Sequence, residues 1–479
     1  MNWSEYFSMS WLYWTLMVLY VFSIISVIGV ILSENRNPVK SLAWVTVLVL
    51  FPLAGLIIYI FFGRSFKNKR MISRRNKRRL KKREPSVKGG ANLSALSVES
   101  RQQILLARSL CGAMLYPGNS VELLTSGKDK FNALLEDLRK ASKYIHLQYY
   151  IFEDDKIGHE VRDILMDRAR AGVKVRVIYD HVGSISVKKK FFREMTDAGV
   201  EVYPFFRVAF PPFGSRINWR NHRKIVIIDG SVGYIGGMNI ADRYINGGKF
   251  NVWRDTHVRL TGPAVSSLQY SFAVDWSFMG HPLLEETVDP TPVAADDTAA
   301  VQNVPSGPMS QWSNIAHLFS KAINNAKRLV YIQTPYFLPT ENLLKALQGA
   351  ALSNVDVRVM IPRRSDSILL RYASYSYILE CLQAGIKFYF YEPGMLHSKT
   401  MVIDDEFSSV GSTNFDFRSF EHNFESNLFI YSRSVNERMR AIFADDLKQC
   451  TRIRKNDWAS RPRIEKMKES VIRLLSPIL

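Results

Sequence analysis

The sequence HSKTMVIDDEFSSVGSTN, at residues 397–414, decides the fold because its pattern occurs a second time in the chain. The other copy is HRKIVIIDGSVGYIGGMN, at residues 222–239. Each copy reads His-x-Lys-x4-Asp, with an Asn seventeen residues after the His, and the copies begin 175 residues apart. A repeated constellation of this kind indicates that the chain contains a duplicated unit.

Each copy predicts a β-hairpin, because two short apolar runs are separated by turn-like residues, Asp229-Gly230 in the first copy and Asp405 in the second. The runs lie at residues 225–228 and 232–235 in the first copy, and at 401–403 and 407–410 in the second. Folding a hairpin about its turn brings the trailing Asn back beside the His that opens the motif. Small residues just before each Asn allow the backbone to approach a ligand closely.

The alternation of side chains along a strand places the His and the Lys of each motif on one face. The groups that should converge are His222, Lys224, Asn239, His397, Lys399 and Asn414. Two donors can neutralise a phosphoryl oxyanion while one histidine attacks phosphorus and the other handles the proton of the leaving oxygen. The two Asn residues could instead cap the helices that follow them.

The Asp of each motif has a different expected role. Asp229 and Asp404 stand an odd number of positions from their histidines, so they should point away or lie in the turn. We count them within the catalytic motif as structural orienters rather than as reactants. No cage of thiolates or carboxylates with metal-ligand spacing is evident, so we expect chemistry without a metal or another cofactor.

The paired motifs and their flanks resemble the bacterial cardiolipin synthases of the phospholipase D superfamily. The segments that carry the resemblance include NWRNHRKIVIIDG, GGMNIADRY, TPYFLPTENLLKAL, LHSKTMVIDD and VGSTNFDFRSFEHNFES, and the likeness covers almost the whole chain. It implies two similar α/β halves around a pseudo-twofold axis, with the site on the axis. It also implies reversible phosphatidyl transfer between two phosphatidylglycerols, which gives cardiolipin and glycerol through a phosphohistidine intermediate.

The resemblance also implies roles for individual residues. His222 would be the nucleophile and His397 the acid/base, although the near-symmetry of the two copies leaves this assignment open. The family motif has a Glu 28 residues after the second histidine, here Glu425, which would orient His397. The first half departs from this pattern because residue 250 is Phe, and we take the nearest acid, Asp255, as the orienter of His222.

The paired motif fixes the chemistry at phosphorus and leaves the acceptor open. A phospholipase D-type hydrolase would use water, and another phosphatidyltransferase would use a different alcohol. A membrane-anchored nuclease would apply the same histidines to nucleic acid. We expect lipid rather than nucleic acid because the chain also carries apolar segments that suit a bilayer.

The N-terminal residues 1–63 predict a transmembrane hairpin. Residues 11–32 are almost wholly apolar, and as a helix they would extend about 33 Å, enough to span the hydrocarbon core. A second apolar segment follows at residues 42–62. A cleaved signal peptide is the rival interpretation of the first segment. It fits poorly, because the residues before Trp11 include none of the basic ones usual in a signal peptide.

Residues 64–83 hold twelve Lys or Arg and no acid, in a chain whose net charge is +20. This run predicts that the catalytic part lies on the cytoplasmic side of a bacterial cell membrane, since basic residues flank spans on that side. It also suits an anionic lipid surface, and nucleic-acid binding is the competing interpretation. Three cysteines without motif spacing are typical of a reducing compartment.

Alternating strands and helices follow, as in VKVRVIY at residues 173–179 and VDVRVMI at 355–361, which predicts an α/β fold. The tail from residue 464 predicts an amphipathic helix that could dock on the body or lie on the membrane. Nothing in the sequence indicates the oligomeric state. The predicted divisions are a basic juxtamembrane segment and linker (64–100), a first half (101–283), a connecting loop (284–308) and a second half (309–479).

Overall fold

The structure is a computed structural model of the chain. It describes residues 3–33, 38–51, 54–56, 59, 70–83, 94, 96–207, 219–286, 288, 291–294 and 298–474. Most of the predicted linker at 84–95, and parts of the second apolar segment and of the connecting loop, lie outside these ranges. The chain divides into two compact units, and the smaller one contains the N-terminal helices.

The helices and strands of the described residues follow the predicted alternation. In chain order the helices are α1 (Trp3–Ser33), α2 (Pro38–Leu50), α3 (Arg74–Arg83), α4 (Val98–Cys111), α5 (Gly127–Lys140), α6 (Lys156–Arg170), α7 (Lys189–Asp197), α8 (Arg243–Asn246), α9 (Val265–Phe278), α10 (Asn314–Asn324), α11 (Glu341–Leu352), α12 (Ile368–Gln383), α13 (Phe417–Glu421), α14 (Arg433–Leu447), α15 (Lys455–Ala459) and α16 (Arg463–Arg473). The strands are β1 (Tyr116–Leu124), β2 (Tyr144–Tyr149), β3 (Lys174–Asp180), β4 (Glu201–Phe205), β5 (Ile225–Ile228), β6 (Val232–Gly236), β7 (Trp253–Arg254), β8 (His257–Thr261), β9 (Ala299–Ser306), β10 (Leu329–Gln333), β11 (Phe337–Leu338), β12 (Asp356–Pro362), β13 (Lys387–Tyr391), β14 (Met395–Leu396), β15 (Thr400–Ile403), β16 (Phe407–Gly411), β17 (Phe415–Asp416), β18 (Glu425–Tyr431) and β19 (Cys450–Arg452).

The N-terminal unit contains the two predicted helices. The first, α1, covers the first apolar segment, and α2 covers the beginning of the second. Large apolar side chains on α1, such as Trp11, Trp14 and Phe22, are exposed. None of the helices in the described ranges combines the length and the apolar character needed to cross a membrane. Membrane crossing by this unit stays a prediction.

The larger unit is built on one sheet that contains fifteen of the described strands, in the order β19-β13-β12-β10-β15-β16-β18-β9-β1-β8-β6-β5-β2-β3-β4. Read inward from the two ends, β4-β3-β2-β5-β6-β8-β1 of the first half corresponds to β13-β12-β10-β15-β16-β18-β9 of the second, which has β19 as an extra edge strand. The antiparallel pairing of β1 with β9 joins the two halves. Each half has a parallel trio, β2-β3-β4 or β10-β12-β13, next to an antiparallel hairpin. The predicted pair of similar α/β halves is therefore confirmed.

The two predicted hairpins are formed, and their register is the same. In the first, Ile228 pairs with Val232 across β5 and β6, and in the second, Ile403 pairs with Phe407 across β15 and β16. The short turns between the strands require left-handed backbone, and the motif Asp of each copy adopts it, with φ of 52° and 49°.

Three apolar clusters hold these layers together. Helices α5 to α7 cover the outer face of the first half-sheet, and α10 to α12 cover that of the second. A third buried cluster joins the two halves, and in it Phe272 of α9 and Met439 of α14 pack with strand residues such as Val258 and Leu428. The motif hairpins belong to these buried layers, so packing on both faces fixes their position.

The predicted connecting loop and the basic juxtamembrane segment both contain regular structure. Part of the predicted connecting loop is strand β9, which pairs with both β1 and β18. Its Val301 and Val304 are fully buried, so the Pro- and Asp-rich composition that predicted a loop describes only the residues before the strand. The described end of the basic run, Arg74–Arg83, forms helix α3, and its Leu80 is buried in the same cluster as Phe272 and Met439.

Candidate active site

His222 and His397 line one cavity of about 680 Å³. Asn239 and Asn414 line it too, so the cavity receives residues from both predicted motifs. The remaining lining side chains include Tyr150, Arg220, Arg243, Tyr244, Lys249, Trp253, Tyr336, Asp366, Leu370, Asp416, Arg418 and Asn423. Aromatic rings, cations and amides therefore surround the two imidazoles.

Each histidine is held by a short stretch of chain from the opposite half. The backbone N–H of His222 donates to the carbonyl of Phe424 at 2.9 Å, and that of His397 donates to the carbonyl of Arg254 at 2.7 Å. Strands β7 and β14 pair in parallel just before His397, and an isolated bridge between Asn221 and Phe424 lies just before His222. The residue after each accepting carbonyl is an acid, Asp255 or Glu425.

These bridges produce crossed histidine–carboxylate pairs. The Nδ1 atom of His222 lies 2.9 and 3.1 Å from the two carboxylate oxygens of Glu425, and Nδ1 of His397 lies 2.7 Å from Oδ2 of Asp255. Both acids were predicted to orient a histidine, but the predicted partners, Glu425 with His397 and Asp255 with His222, were wrong. The prediction kept each pair within one half, whereas the backbone bridges run across the pseudo-twofold axis.

The carboxylates fix the protonation of the imidazoles. A carboxylate that accepts from Nδ1–H leaves Nε2 as the nitrogen available to a substrate. Burial lowers the pKa of both histidines, and with Lys399 nearby the pKa of His397 falls to about 4. Burial acts to raise the pKa of Glu425, but His222 and the hydrogen bonds outweigh it, so this pKa is lowered. Burial therefore favours the neutral form of both imidazoles.

The motif lysines lie beneath the histidines and are fully buried. Nζ of Lys224 donates to the carbonyl of His222 at 2.6 Å, and Nζ of Lys399 lies 2.8 Å from Nδ1 of His397. Burial lowers the pKa of Lys224 to about 7 and that of Lys399 to about 8. A bound phosphodiester anion would stabilise the charged form of both ammonium groups.

The two amides are arranged differently. Asn239 accepts from the N–H of Ile151 at 3.1 Å and donates to the hydroxyl of Tyr244 at 2.8 Å. Asn414 hydrogen-bonds Asp416, and its buried Oδ1 has no hydrogen-bond partner among the described residues. The N-caps of α8 and α13 are Asp242 and Asp416, so the capping alternative is wrong for both Asn residues.

The motif aspartates lie away from the cavity at the turns, as expected. Asp229 accepts from the backbone N–H groups of Ser142, Lys143 and Tyr144, each at 2.8 Å. Asp404 accepts in the same way from residues 327, 328 and 329, at 2.8 to 3.0 Å. Each carboxylate therefore fastens the motif hairpin to the loop that enters the neighbouring strand.

Glu425 and Asp255 differ in their surroundings, because the residue two positions before the motif Asn is Ser in one half and Gly in the other. The hydroxyl of Ser412 donates to Glu425, and Nδ2 of Asn423 donates to the same carboxylate at 3.3 Å. The corresponding residue in the first half is Gly237, where a Cβ atom would lie 2.2 Å from Oδ1 of Asp255. Asp255 instead accepts from the N–H of Thr256 at 2.7 Å.

Sequence reasoning missed the arginines of the cavity. Arg243 and Arg418 each stand four residues after a motif Asn, so a repeated Asn-x3-Arg spacing was the available signal. Arg220 also lines the cavity, two residues before His222. Within the described ranges, no group of three or more His, Cys, Asp or Glu side chains is placed to hold a metal ion.

Comparison with known proteins decides the family. The family model described as cardiolipin synthase, PLD-like domain, matches residues 134–276 and 319–447, once in each half. The model described as phospholipase D-nuclease N-terminal matches residues 18–64. The major cardiolipin synthase ClsA of Bacillus subtilis is 40% identical over 480 residues, covering 97% of this chain and 98% of that protein. The chain belongs to the cardiolipin synthase family.

Membership of the cardiolipin synthase family makes the protein an enzyme, a phosphatidyltransferase of the phospholipase D superfamily, and the predicted resemblance is confirmed. Cardiolipin synthase 2 of Bacillus cereus is 41% identical, covering 94% of this chain and 89% of that relative. The crystal structure of a phosphatidylserine synthase from Haemophilus influenzae is similar with a TM-score of 0.61 and 12% identity. The likeness covers 79% of this chain and all of that chain, and it supports the fold alone.

Proposed function

We propose that the protein transfers the phosphatidyl group of one phosphatidylglycerol to a hydroxyl of a second, giving cardiolipin and glycerol. The observation that carries the proposal is the pair of histidines in one cavity, each with Nδ1 held by a carboxylate from the opposite half. Full-length similarity to proteins named cardiolipin synthase supports this acceptor over water or another alcohol.

The first step is the displacement of glycerol. Nε2 of His222 attacks phosphorus, the bond from phosphorus to the glycerol oxygen breaks, and His397 gives its proton to that oxygen. Glu425 stabilises the positive charge that develops on His222. Because burial and Lys399 lower the pKa of His397 to about 4, we propose that the substrate anion raises this pKa and so supplies the acid form.

In the second step His397 acts as the base and His222 is the leaving group. His397 takes the proton of a hydroxyl of the second phosphatidylglycerol, whose oxygen attacks the phosphohistidine and releases His222. Lys224, Lys399, Asn239 and Asn414 bind the non-bridging phosphoryl oxygens through both steps. All bonds made in one direction can be made in the other, so the transfer is reversible.

A reconstituted assay tests the reaction. Labelled phosphatidylglycerol is the only lipid, no metal is added, and a parallel sample contains a chelator. We expect cardiolipin and glycerol in equal amounts in both samples. Phosphatidic acid as the main product would make the protein a hydrolase, and activity lost only with the chelator would contradict chemistry without a metal.

We also propose that the N-terminal helices anchor the enzyme in a bacterial cell membrane, with the catalytic unit on the cytoplasmic side. The apolar residues 11–32, the exposed tryptophans of α1 and the basic run after the second segment support this arrangement. A protease added to right-side-out vesicles should leave the catalytic unit intact and should cleave it in inside-out vesicles. Release of the protein by alkaline carbonate would contradict an integral anchor.

A further inference from the structure

The C-terminal helix α16 turns its apolar side to solvent. Ile464, Met467, Val471 and Leu474 recur at helical spacing, and their exposed fractions are 52%, 58%, 58% and 79%. A surface helix of a globular protein normally turns such a stripe towards the core. Here the stripe is the side that remains uncovered.

Charged contacts hold the opposite side of α16 to the body. Glu469 is buried, and Arg461 donates to its two oxygens at 2.6 and 3.0 Å. Arg473 pairs with Glu380 of α12 at 2.6 Å, and its guanidinium lies 4.2 Å from the ring centre of Tyr377. The outward stripe is therefore fixed by specific contacts on the other face of the helix.

Basic residues lie on α16 beside the apolar stripe and in the segment before the helix. Over residues 452–474 the chain has eight basic and three acidic side chains. Arg461 and Arg473 belong to the opposite side described above, and the other basic side chains, exposed or half-buried, are Arg452, Arg454, Lys455, Arg463, Lys466 and Lys468. An apolar stripe bordered by cations has the composition of a helix that lies in an anionic membrane interface.

Helix α16 runs beside α12, whose beginning borders the catalytic cavity. Tyr372 hydrogen-bonds Glu465 near the start of α16, and Glu380 pairs with Arg473 near its end, so the two helices run in the same direction. Leu370, in the first turn of α12, lines the cavity with the two histidines. The first turn of α16 therefore lies towards the end of α12 that borders the cavity.

We propose that α16 lies in the surface of an anionic bilayer, with its apolar stripe among the acyl chains and its cations at the lipid phosphates. This contact is additional to the N-terminal anchor, and it does not depend on which alcohol accepts the phosphatidyl group. It holds the catalytic cavity next to the surface from which the phosphatidyl donor must enter.

Nitroxide probes on the full chain test the position of α16. The probes are placed at Val471→Cys, on the stripe, and at Ser470→Cys, its exposed neighbour on another side, after Cys111→Ser, Cys381→Ala and Cys450→Ser. In vesicles of phosphatidylglycerol we expect the probe at 471 to collide more with oxygen and less with an aqueous nickel reagent than the probe at 470. In vesicles of phosphatidylcholine the contrast should shrink.

Equal exposure of both probes to the nickel reagent in phosphatidylglycerol vesicles would overturn the proposal. Dipolar broadening between probes at 471 would overturn it too, because the stripe would then pack against a second copy of the chain. Both readouts are independent of turnover, so they separate this proposal from the proposed reaction.

Turnover provides a second test. We expect Met467→Gln with Val471→Gln to lower the rate on phosphatidylglycerol vesicles about tenfold, because apolar burial in the interface is lost. The rate on the same lipid dispersed in detergent micelles should stay near that of the parent protein, as should both rates for the control Ser470→Gln. An equal loss in vesicles and micelles would indicate a role in folding and would contradict the membrane contact.

Discussion

The first-motif and second-motif histidines share a backbone framework but differ in the carboxylate that faces them. His222 meets the longer side chain of Glu425, whose two oxygens also receive hydrogen bonds from Ser412 and Asn423. His397 meets the shorter Asp255, packed against Gly237, with Lys399 close to the same ring nitrogen. The duplicated hairpins thus place the two histidines in the same way, while the acids of the opposite half give the two imidazoles different surroundings.

This difference suits two roles in one reaction. The carboxylate of Glu425 can compensate a full positive charge on His222 when it bonds to phosphorus. His397 has its pKa lowered to about 4 by burial and by Lys399, so it can serve as the acid near neutral pH only if the substrate anion raises this pKa. Substitutions made separately beside His222 and beside His397 should therefore have different effects.

The largest expected effect follows removal of either carboxylate charge. Glu425→Gln and Asp255→Asn should each lower transfer from phosphatidylglycerol by about a thousandfold to ten-thousandfold, because the imidazole loses its orientation and its compensating charge. Initial rates of cardiolipin formation measure the loss. Thermal unfolding of each variant shows that the protein is still folded.

A substrate with a better leaving group separates the two carboxylates. Phosphatidyl-p-nitrophenol needs no proton on its leaving oxygen, so it should restore the burst of p-nitrophenolate in Asp255→Asn and in His397→Ala. It should not restore the burst in Glu425→Gln, since attack by His222 is impaired there. Rescue of Glu425→Gln alone would mean that Glu425 serves the protonating histidine, which would contradict the assignment of His222 as the nucleophile.

Intermediate effects are expected for the residues that adjoin the carboxylates. In Gly237→Ala the new Cβ would lie 2.2 Å from Asp255, so the acid must move, and we expect about a hundredfold loss of kcat. Ser412→Gly removes one hydrogen bond to Glu425 and should cost about tenfold. Similar losses for both variants would show that the surroundings of Asp255 and of Glu425 tolerate change equally, contrary to the difference described above.

The lysines should differ in a binding measurement. With pKa values of about 7 for Lys224 and about 8 for Lys399, both are partly neutral at pH 8 and take up protons when an anion raises their pKa. Calorimetry with glycerophosphoglycerol, the deacylated phosphodiester, in buffers of different ionisation enthalpy measures this uptake at pH 8. Lys224→Met should remove more of it than Lys399→Met, and heats that do not vary with the buffer would contradict the expectation.

Much of this architecture followed from the sequence because it depends on local alternation and on the repeat. The hairpins and the alternation of strands and helices came from residues within each copy, and the family resemblance implied that both motifs meet in one site. The partner of each histidine did not, because Glu425 lies 203 residues from His222 and only pairing across the axis joins them. Likewise, the periodicity of α16 located its apolar stripe but could not tell which side the charged contacts would bury.

The smallest effect is expected at the two motif aspartates, where the halves are alike. Asp229→Asn and Asp404→Asn should each lower the free energy of unfolding by about 1–3 kcal/mol, because a charged acceptor of backbone N–H groups is lost. Activity of the folded variants should stay near that of the parent. Burial raises the pKa of Asp229 but its backbone donors outweigh this, so the net lowering makes its contribution present at neutral pH and lost as the pH falls through the lowered pKa. Thermal unfolding at several pH values measures this, and loss of activity without loss of stability would contradict a structural role.

The most direct test of the account is to find the histidine that becomes bonded to phosphorus. Phosphatidyl-p-nitrophenol labelled at phosphorus is mixed with the His397→Ala variant and with the parent protein, each reaction is quenched within the burst, and the modified peptide is sequenced by mass spectrometry. The account predicts phosphatidyl label on His222 in both proteins. Label on His397 in the parent protein, or a burst with no labelled histidine, would contradict it.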